Sequence, residues 1–339
     1  MTSQERLGVS KDAVRTPIVA GLPMPEFRRI GVTPISGACG CEISGVDLRE
    51  PLDDATFAEI KQASLDHLML CFPKQQVTRE QLVSFAGRFG NVGDNASSKH
   101  RDPENPQVMM LSSKPFTGKP WEGFKNGENW HTDRSFKVAP TTYTLLSARE
   151  LPDVGGNTMF ANQYMSYDAL TPTLRAFVDS LSAIHLQQPK AAAMLTEKFP
   201  AVIHPLAPIH PETKRRSLFL GEHVRAFVGM TEEESRPFLQ FLNVHSVRPE
   251  FCYRHVWRPH DLVLWDNRCL SHMAVKDYDM RPGAQARHIW KVSVDDVPTG
   301  KLYEEVMGRR YEVEIAEHSG GAIAPYAAPA SVNSSQTAH

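Results

Sequence analysis

The chain has 339 residues, enough for one large domain or two small ones with a substantial core. With 41% hydrophobic residues, 22% charged residues and a formal charge of −2, it has the composition of a soluble globular protein. That balance gives no electrostatic case for nucleic acid or a membrane surface as partner.

Five cysteines (Cys39, Cys41, Cys71, Cys252 and Cys269) form no C-x-x-C pair, so neither a thioredoxin-like motif nor a sequence-local zinc site is signalled. All five are expected to be reduced thiols. The chain opens with no basic segment followed by an apolar run, and no apolar stretch approaches the ~20 residues that span a bilayer. A cytoplasmic protein is therefore expected.

Residues 1–30 carry Pro17, Pro23 and Pro25 and read as an arm on the surface or partly disordered. Residues 32–48, rich in Gly and β-branched residues, predict a short hairpin with Gly37 and Gly45 at its turns. Asp54 is expected to cap a helix with Phe57, Ile60, Ser64, Leu65 and Leu68 along one face. Residues 68–72 then read as a short buried strand stopped by Pro73.

Thr78 and Gln81 form a capping box ahead of Leu82, Phe85 and Phe89, with Gly90 as the stop. Thr171-Pro172 opens another helix through Leu174, Phe177, Val178 and Leu181, with proline at its first position. Thr231 and Glu234 offer a further box. Pro237 sits where an interior N–H is needed, so that helix is expected to start later.

Extended stretches are expected at 141–148, 157–161, 217–220, 261–266 and 287–294. Many short strands with long connections and a few helices predict a mainly β fold with flanking helices, a double-stranded β-helix or cupin-like jelly roll. Residues 315–339 turn to Gly, Ala, Pro and Ser and are expected to be a disordered tail.

Three segments carry the chemistry. In Asn129-Trp130-His131-Thr132-Asp133, a histidine and a carboxylate two apart on extended chain share a face, roughly 6–7 Å apart at the backbone. Both side chains can then reach one ion, although an H-x-D tripeptide alone is a weak signal.

In 261–272, Leu262, Val263, Leu264 and Trp265 make a strand buried on both faces. It delivers His272 past Asp266-Asn267-Arg268. By itself His272 reads first as a polar residue satisfied near a strand end. Joined to His131 and Asp133, it would complete two imidazoles and one carboxylate on one side of a metal. Such a set leaves coordination positions open, as a non-haem Fe(II) oxygenase requires.

In 287–294, alternation puts Arg287, Ile289, Lys291 and Ser293 on one face, with Arg287 and Lys291 roughly 13 Å apart. If that face looks inward, both cations need anionic partners. The other reading is an edge strand with solvated cations.

Together with Gly155-Gly156-Asn157-Thr158, these segments make the chain resemble the TauD/TfdA family of Fe(II)- and 2-oxoglutarate-dependent dioxygenases from about residue 32 to 294. Each motif is weak alone; their order and intervals carry the resemblance. It implies a single catalytic jelly-roll domain over 31–314, with iron held by His131, Asp133 and His272. Arg287 would pair with the distal carboxylate of 2-oxoglutarate through its planar fork. Thr158 would place a hydroxyl on the same carboxylate.

The implied reaction uses O2 to hydroxylate a C–H bond of a small organic anion, releasing succinate and CO2, in a homo-oligomer. Related halogenases replace the carboxylate ligand with a small residue, so Asp133 implies oxygenation.

Two departures point away from taurine. Lys291 stands where sulfonate-cleaving relatives carry a second arginine, and residues 91–97 lack a histidine that taurine-type members use. A different carboxylate, sulfonate or similar anion is expected, with Lys291, Asn129, Phe136 and Arg225 as substrate-pocket candidates beside His223 and Phe227. The 273–286 loop looks longer than in taurine-degrading members, which leaves Arg281 as a competitor of Arg287. Residues 112–125, with Phe116, Trp121 and Phe124, and 186–198 read equally as lids or surface packing.

Two other classes compete. A zinc-type metal hydrolase could use the same triad, but it has no need of Arg287 and Thr158 aimed at a diacid. A non-catalytic jelly-roll binding protein would explain the scaffold and not an intact ligand set.

Overall fold

A computed structural model describes residues 27–93, 100–113, 127–187, 199–279, 286–295 and 298–311. The disordered-tail expectation, Arg281, Phe116, Trp121, Phe124 and all but residues 27–30 of the arm lie outside the described residues.

In chain order, the elements begin with β1 (Gly31–Pro34), β2 (Cys41–Ser44), α1 (Asp54–His67), β3 (Met69–Phe72) and α2 (Arg79–Gly87). Next come β4 (Asn91–Val92), β5 (Met109–Ser112), β6 (Thr141–Glu150), β7 (Thr158–Asn162), α3 (Gln163–Asp168) and α4 (Pro172–Ser180). Then follow β8 (Ser182–His185), β9 (Val202–Pro205), β10 (Val224–Phe227) and α5 (Glu232–Ser246). The described chain closes with β11 (Cys252–His255), β12 (Leu262–Asp266), β13 (Leu270–Ala274), β14 (His288–Asp295), β15 (Lys301–Leu302) and α6 (Tyr303–Met307).

The large sheet runs β1-β2-β3-β12-β6-β14-β4, with β5 also on β14. A three-stranded sheet, β11-β7-β13, faces it, and a third sheet runs β10-β8-β9-β15. The central strands are apolar on both faces because both faces are covered. Leu145, Leu264 and Val292 pack with Ile60 of α1 and with Leu82 and Phe85 of α2. The alternate residues, Leu146, Val263, Trp265 and Ile289, pack with Phe160 and Leu270 of the smaller sheet. This is the jelly roll expected from the strand pattern, buttressed by helices. The edge-strand reading of β14 fails, since that strand lies between β6 and the β4–β5 edge.

Several boundaries move. The cap of α1 is Asp53, whose side chain accepts from the Thr56 amide at 2.9 Å. The α2 box forms as expected, but the helix ends at Gly87 rather than at Gly90. Residues 217–220 are buried yet form no strand: Leu218 N donates to Gln163 O and Phe219 N to Leu206 O, two separate segments that support no ladder.

Pro237 does not delay α5, which starts at its box: Thr231 N donates to Glu234 Oε2 at 2.8 Å and Glu234 N to Thr231 Oγ1 at 3.2 Å. An interior proline costs roughly 3 kcal/mol. The cap returns about 1 kcal/mol. Burial of Leu239 and Leu242 adds roughly 1.5–3 kcal/mol each, which decides the balance.

All five cysteines are free thiols. Among the described residues no helix is long and apolar enough to cross a membrane.

Two buried histidines make stability depend on pH. Burial holds His67 and His204 down at about 4, against an ordinary 6.5. Below pH 6.5 the unfolded chain therefore binds more protons than the folded one, and stability falls until the pH nears 4. Each ring is expected to cost roughly 2 kcal/mol by about pH 5. Urea midpoints measured from about pH 7 down to about pH 5 check this; a flat series would contradict it.

Candidate active site

The H-x-D segment lies outside the named strands but is tied to one of them. His131 N donates to His272 O at 3.0 Å, and His272 N donates to His131 O at 2.9 Å, an antiparallel bridge onto β13. That bridge sets the two rings 4.2 Å apart between centroids. Gly221 permits it: with φ +128, a Cβ there would stand 2.8 Å from His131 Cα.

One donor atom from each of His131, Asp133 and His272 lies within 4.8 Å of the others. Nε2 of His131 is 3.7 Å and Nε2 of His272 is 3.9 Å from Asp133 Oδ1. The three residues named from sequence are thus brought together.

Their surroundings fix which atoms face the shared point. His131 Nδ1 lies 2.8 Å from Asn129 O; the carbonyl can only accept, so Nδ1 donates this hydrogen bond and Nε2 is the ring atom left to face the shared point. Burial first, and then the neighbouring His131, hold His272 well below its ordinary pKa, so it is neutral. Phe160 and Trp265 fix its ring, the latter at 4.6 Å between centroids.

Burial by itself would raise the pKa of Asp133. The Lys291 ammonium, followed by His272 and His131, reverses that and holds the carboxyl well below the usual range. Lys291 Nζ donates to Oδ1 at 2.6 Å, and Thr144 Oγ1 donates to Oδ2 at 2.6 Å. Asn267 Nδ2 in turn donates to Thr144 Oγ1, and Asn267 Oδ1 accepts from Trp265 Nε1. Sequence reasoning assigned no role to Thr144 or Asn267. They act through a register between β6 and β12 that no local pattern encodes.

Arg287, 7% exposed, is held by its backbone pairing with Ser113 and by Nε donating to Gly156 O at 2.8 Å. Gly156, with φ +66, makes room, since a Cβ there would meet Arg287 Cδ at 3.0 Å. Among the described residues no carboxylate pairs with this guanidinium, and burial lowers its pKa, opposed only by Tyr278. Thr158 is buried, and its Oγ1 accepts from Trp257 Nε1 at 3.1 Å. With the oxygen's acceptor role taken by the indole, the hydroxyl proton stays available for an anion. Trp257 was not anticipated, and it sits in a connection with no periodic signal.

The substrate-pocket candidates separate. Lys291 lies on Asp133. Asn129 Nδ2 donates to Glu222 Oε2 at 3.0 Å, and its carbonyl orients His131. Phe136 is buried against Phe199 and, at 4.9 Å, His223. Burial lowers the His223 pKa to about 4, and its ring is within electrostatic reach of His131 and Asp133. Arg225 lies on β10, whose pairing with β8 shifts register between Val224 and Ala226. Phe227 is fully buried in the core beneath α5.

The model of the family described as taurine catabolism dioxygenase TauD, TfdA family matches residues 31–293. The (S)-phenoxypropionate/alpha-ketoglutarate-dioxygenase of Sphingobium herbicidovorans is 33% identical over 294 residues, covering 80% of this chain and 96% of that protein. The alkylsulfatase of Acinetobacter baylyi is 30% identical over 283 residues, covering 78% and 85%. The crystal structure of AAD-2 in complex with Mn(II) and N-oxalylglycine superposes with a TM-score of 0.71 at 31% identity, covering 80% of this chain and all (100%) of that one.

Proposed function

This chain belongs to the TauD/TfdA family and is a 2-oxoglutarate-dependent oxygenase using Fe(II) and O2; from that premise we propose that it oxidises a C–H bond of a small organic anion with an apolar body. Iron, with 2-oxoglutarate and O2, supplies the oxidising power that inserts one oxygen atom into the bond as 2-oxoglutarate leaves as succinate and CO2.

The metal falls to His131, Asp133 and His272. Two imidazoles and one carboxylate converging within 4.8 Å suit Fe(II), as such a set leaves coordination positions open. Asn129 O and Thr144 Oγ1 keep the donor atoms of His131 and Asp133 aimed at that point. Arg287 and Thr158 take the distal carboxylate of 2-oxoglutarate.

One observation carries this reading, the buried Arg287 guanidinium with which no carboxylate among the described residues pairs. A zinc-type hydrolase has no use for it, whereas a diacid cosubstrate neutralises it. Phe136 and His223, buried side by side near Asp133, support an apolar or aryl substrate body. The names of the two relatives, one for a phenoxypropionate and one for alkyl sulfates, support the same class.

The test is succinate formation and O2 uptake with Fe(II), 2-oxoglutarate and a panel of aryloxyalkanoates, alkyl sulfates, sulfonates and taurine. Stimulation by an anion with an apolar body, and not by taurine, is the expected result. Failure to form succinate with any member would remove the proposal.

A further inference from the structure

A second cluster of metal-ligating side chains lies apart from the triad. Cys71 comes from β3, His255 from the end of β11 and Asp261 from the residue before β12. All three are buried, and one donor atom of each lies within 4.8 Å of the others. Within this cluster His255 Nε2 and Asp261 Oδ1 make no hydrogen bond. Nε2 is 3.5 Å from Asp261 Oδ2, beyond the length of a good N–H···O bond. Each buried polar atom left unpaired costs about 1–3 kcal/mol, so two of them within one buried three-residue cluster call for a shared partner.

We propose that Cys71 Sγ, His255 Nε2 and the Asp261 carboxylate bind a divalent ion of the zinc type, with a fourth position for water. Thiolate, imidazole and carboxylate are a zinc donor set, whereas magnesium and calcium demand oxygen throughout. The charges balance, because the thiolate, Asp261 and Glu42 together offset a divalent ion and Arg258, whose guanidinium donates to Glu42 at 2.8 Å, to Asp261 Oδ2 at 3.2 Å and to Cys71 Sγ at 3.5 Å.

The surrounding groups orient the ligands. Tyr253 Oη is 3.3 Å from His255 Nδ1, and Arg258 N donates to Asp261 Oδ2 at 2.9 Å, which hold the imidazole and the carboxylate in place. Burial pushes the Cys71 thiol up to about 12, so binding at neutral pH displaces its proton to solvent. His255 also meets Trp257 edge-on at 4.7 Å, and Trp257 holds Thr158, so an ion here would brace that residue.

The experiment uses full-length protein carrying His131→Ala and Asp133→Ala, which removes two ligands of the first site. Titration with Co(II) is expected to bind one equivalent and to produce a thiolate-to-cobalt charge-transfer band, abolished by one equivalent of Zn(II). Cys71→Ser should lose the band and weaken Zn(II) binding at least about a hundredfold. Cys39→Ser should keep the band. His255→Gln is read in the same way, in case Cys71→Ser does not fold. No charge-transfer band, or a band that survives Cys71→Ser or His255→Gln, overturns the proposal.

Discussion

Asp133→Ala is expected to abolish iron-dependent succinate formation and to weaken metal binding by more than about a hundredfold. Losing a group that merely orients a ligand costs 10–100-fold, so losing the ligand itself should exceed that. The substitution has a second consequence that must be separated from the first. Asp133 is the partner of Lys291 at 2.6 Å in a largely buried setting. Removing one member of such a pair leaves an uncompensated charge and destabilises by about 3–5 kcal/mol. Asp133→Ala combined with Lys291→Met should therefore regain much of the lost thermal stability while remaining inactive. Iron content measured at equilibrium, beside the unfolding midpoint, distinguishes the two effects. Full metal binding in the double variant would exclude Asp133 as a ligand.

Arg287→Ala is expected to raise the 2-oxoglutarate KM by at least about thirtyfold, with a smaller change in kcat. Truncating one side of a buried, hydrogen-bonded charge pair costs about 2–5 kcal/mol, and every 1.4 kcal/mol is tenfold. The split between KM and kcat matters because the guanidinium is assigned to the end of the cosubstrate away from the metal, where it contributes binding and not chemistry. Arg287→Lys should recover little, since a lysine keeps the charge and loses the fork. An unchanged KM in Arg287→Ala would transfer the role to Arg281.

The family resemblance carried the substance of both expectations, and strand alternation added only which residues share a face. Arg287, Ile289 and Lys291 do share an inward face, with Ile289 buried between the sheets. Alternation could not say what each cation would meet. Lys291 was assigned to substrate, yet it lies on Asp133, because the β14–β6 register sets Lys291 beside Leu146, two residues from Thr144, which also bonds that carboxylate. Arg225 lies on β10, whose pairing with β8 shifts register between Val224 and Ala226, a feature the local sequence does not signal.

What the chain determines by itself is therefore local. The capping boxes at Thr78 and Thr231 close within a single turn and need no partner beyond Gln81 and Glu234. The period-two pattern of β12 and β14 declares two buried faces, and the H-x-D spacing places two donors on one side.

Tertiary structure alone decided the rest: the bridge that joins His131 to His272, the Thr144–Asn267 support of Asp133, the Trp257 contact to Thr158, and the meeting of Cys71 with His255 and Asp261. Each of these depends on register between strands far apart in the chain. A slip of one residue would turn every side chain to the opposite face, and nothing local in sequence records which register wins.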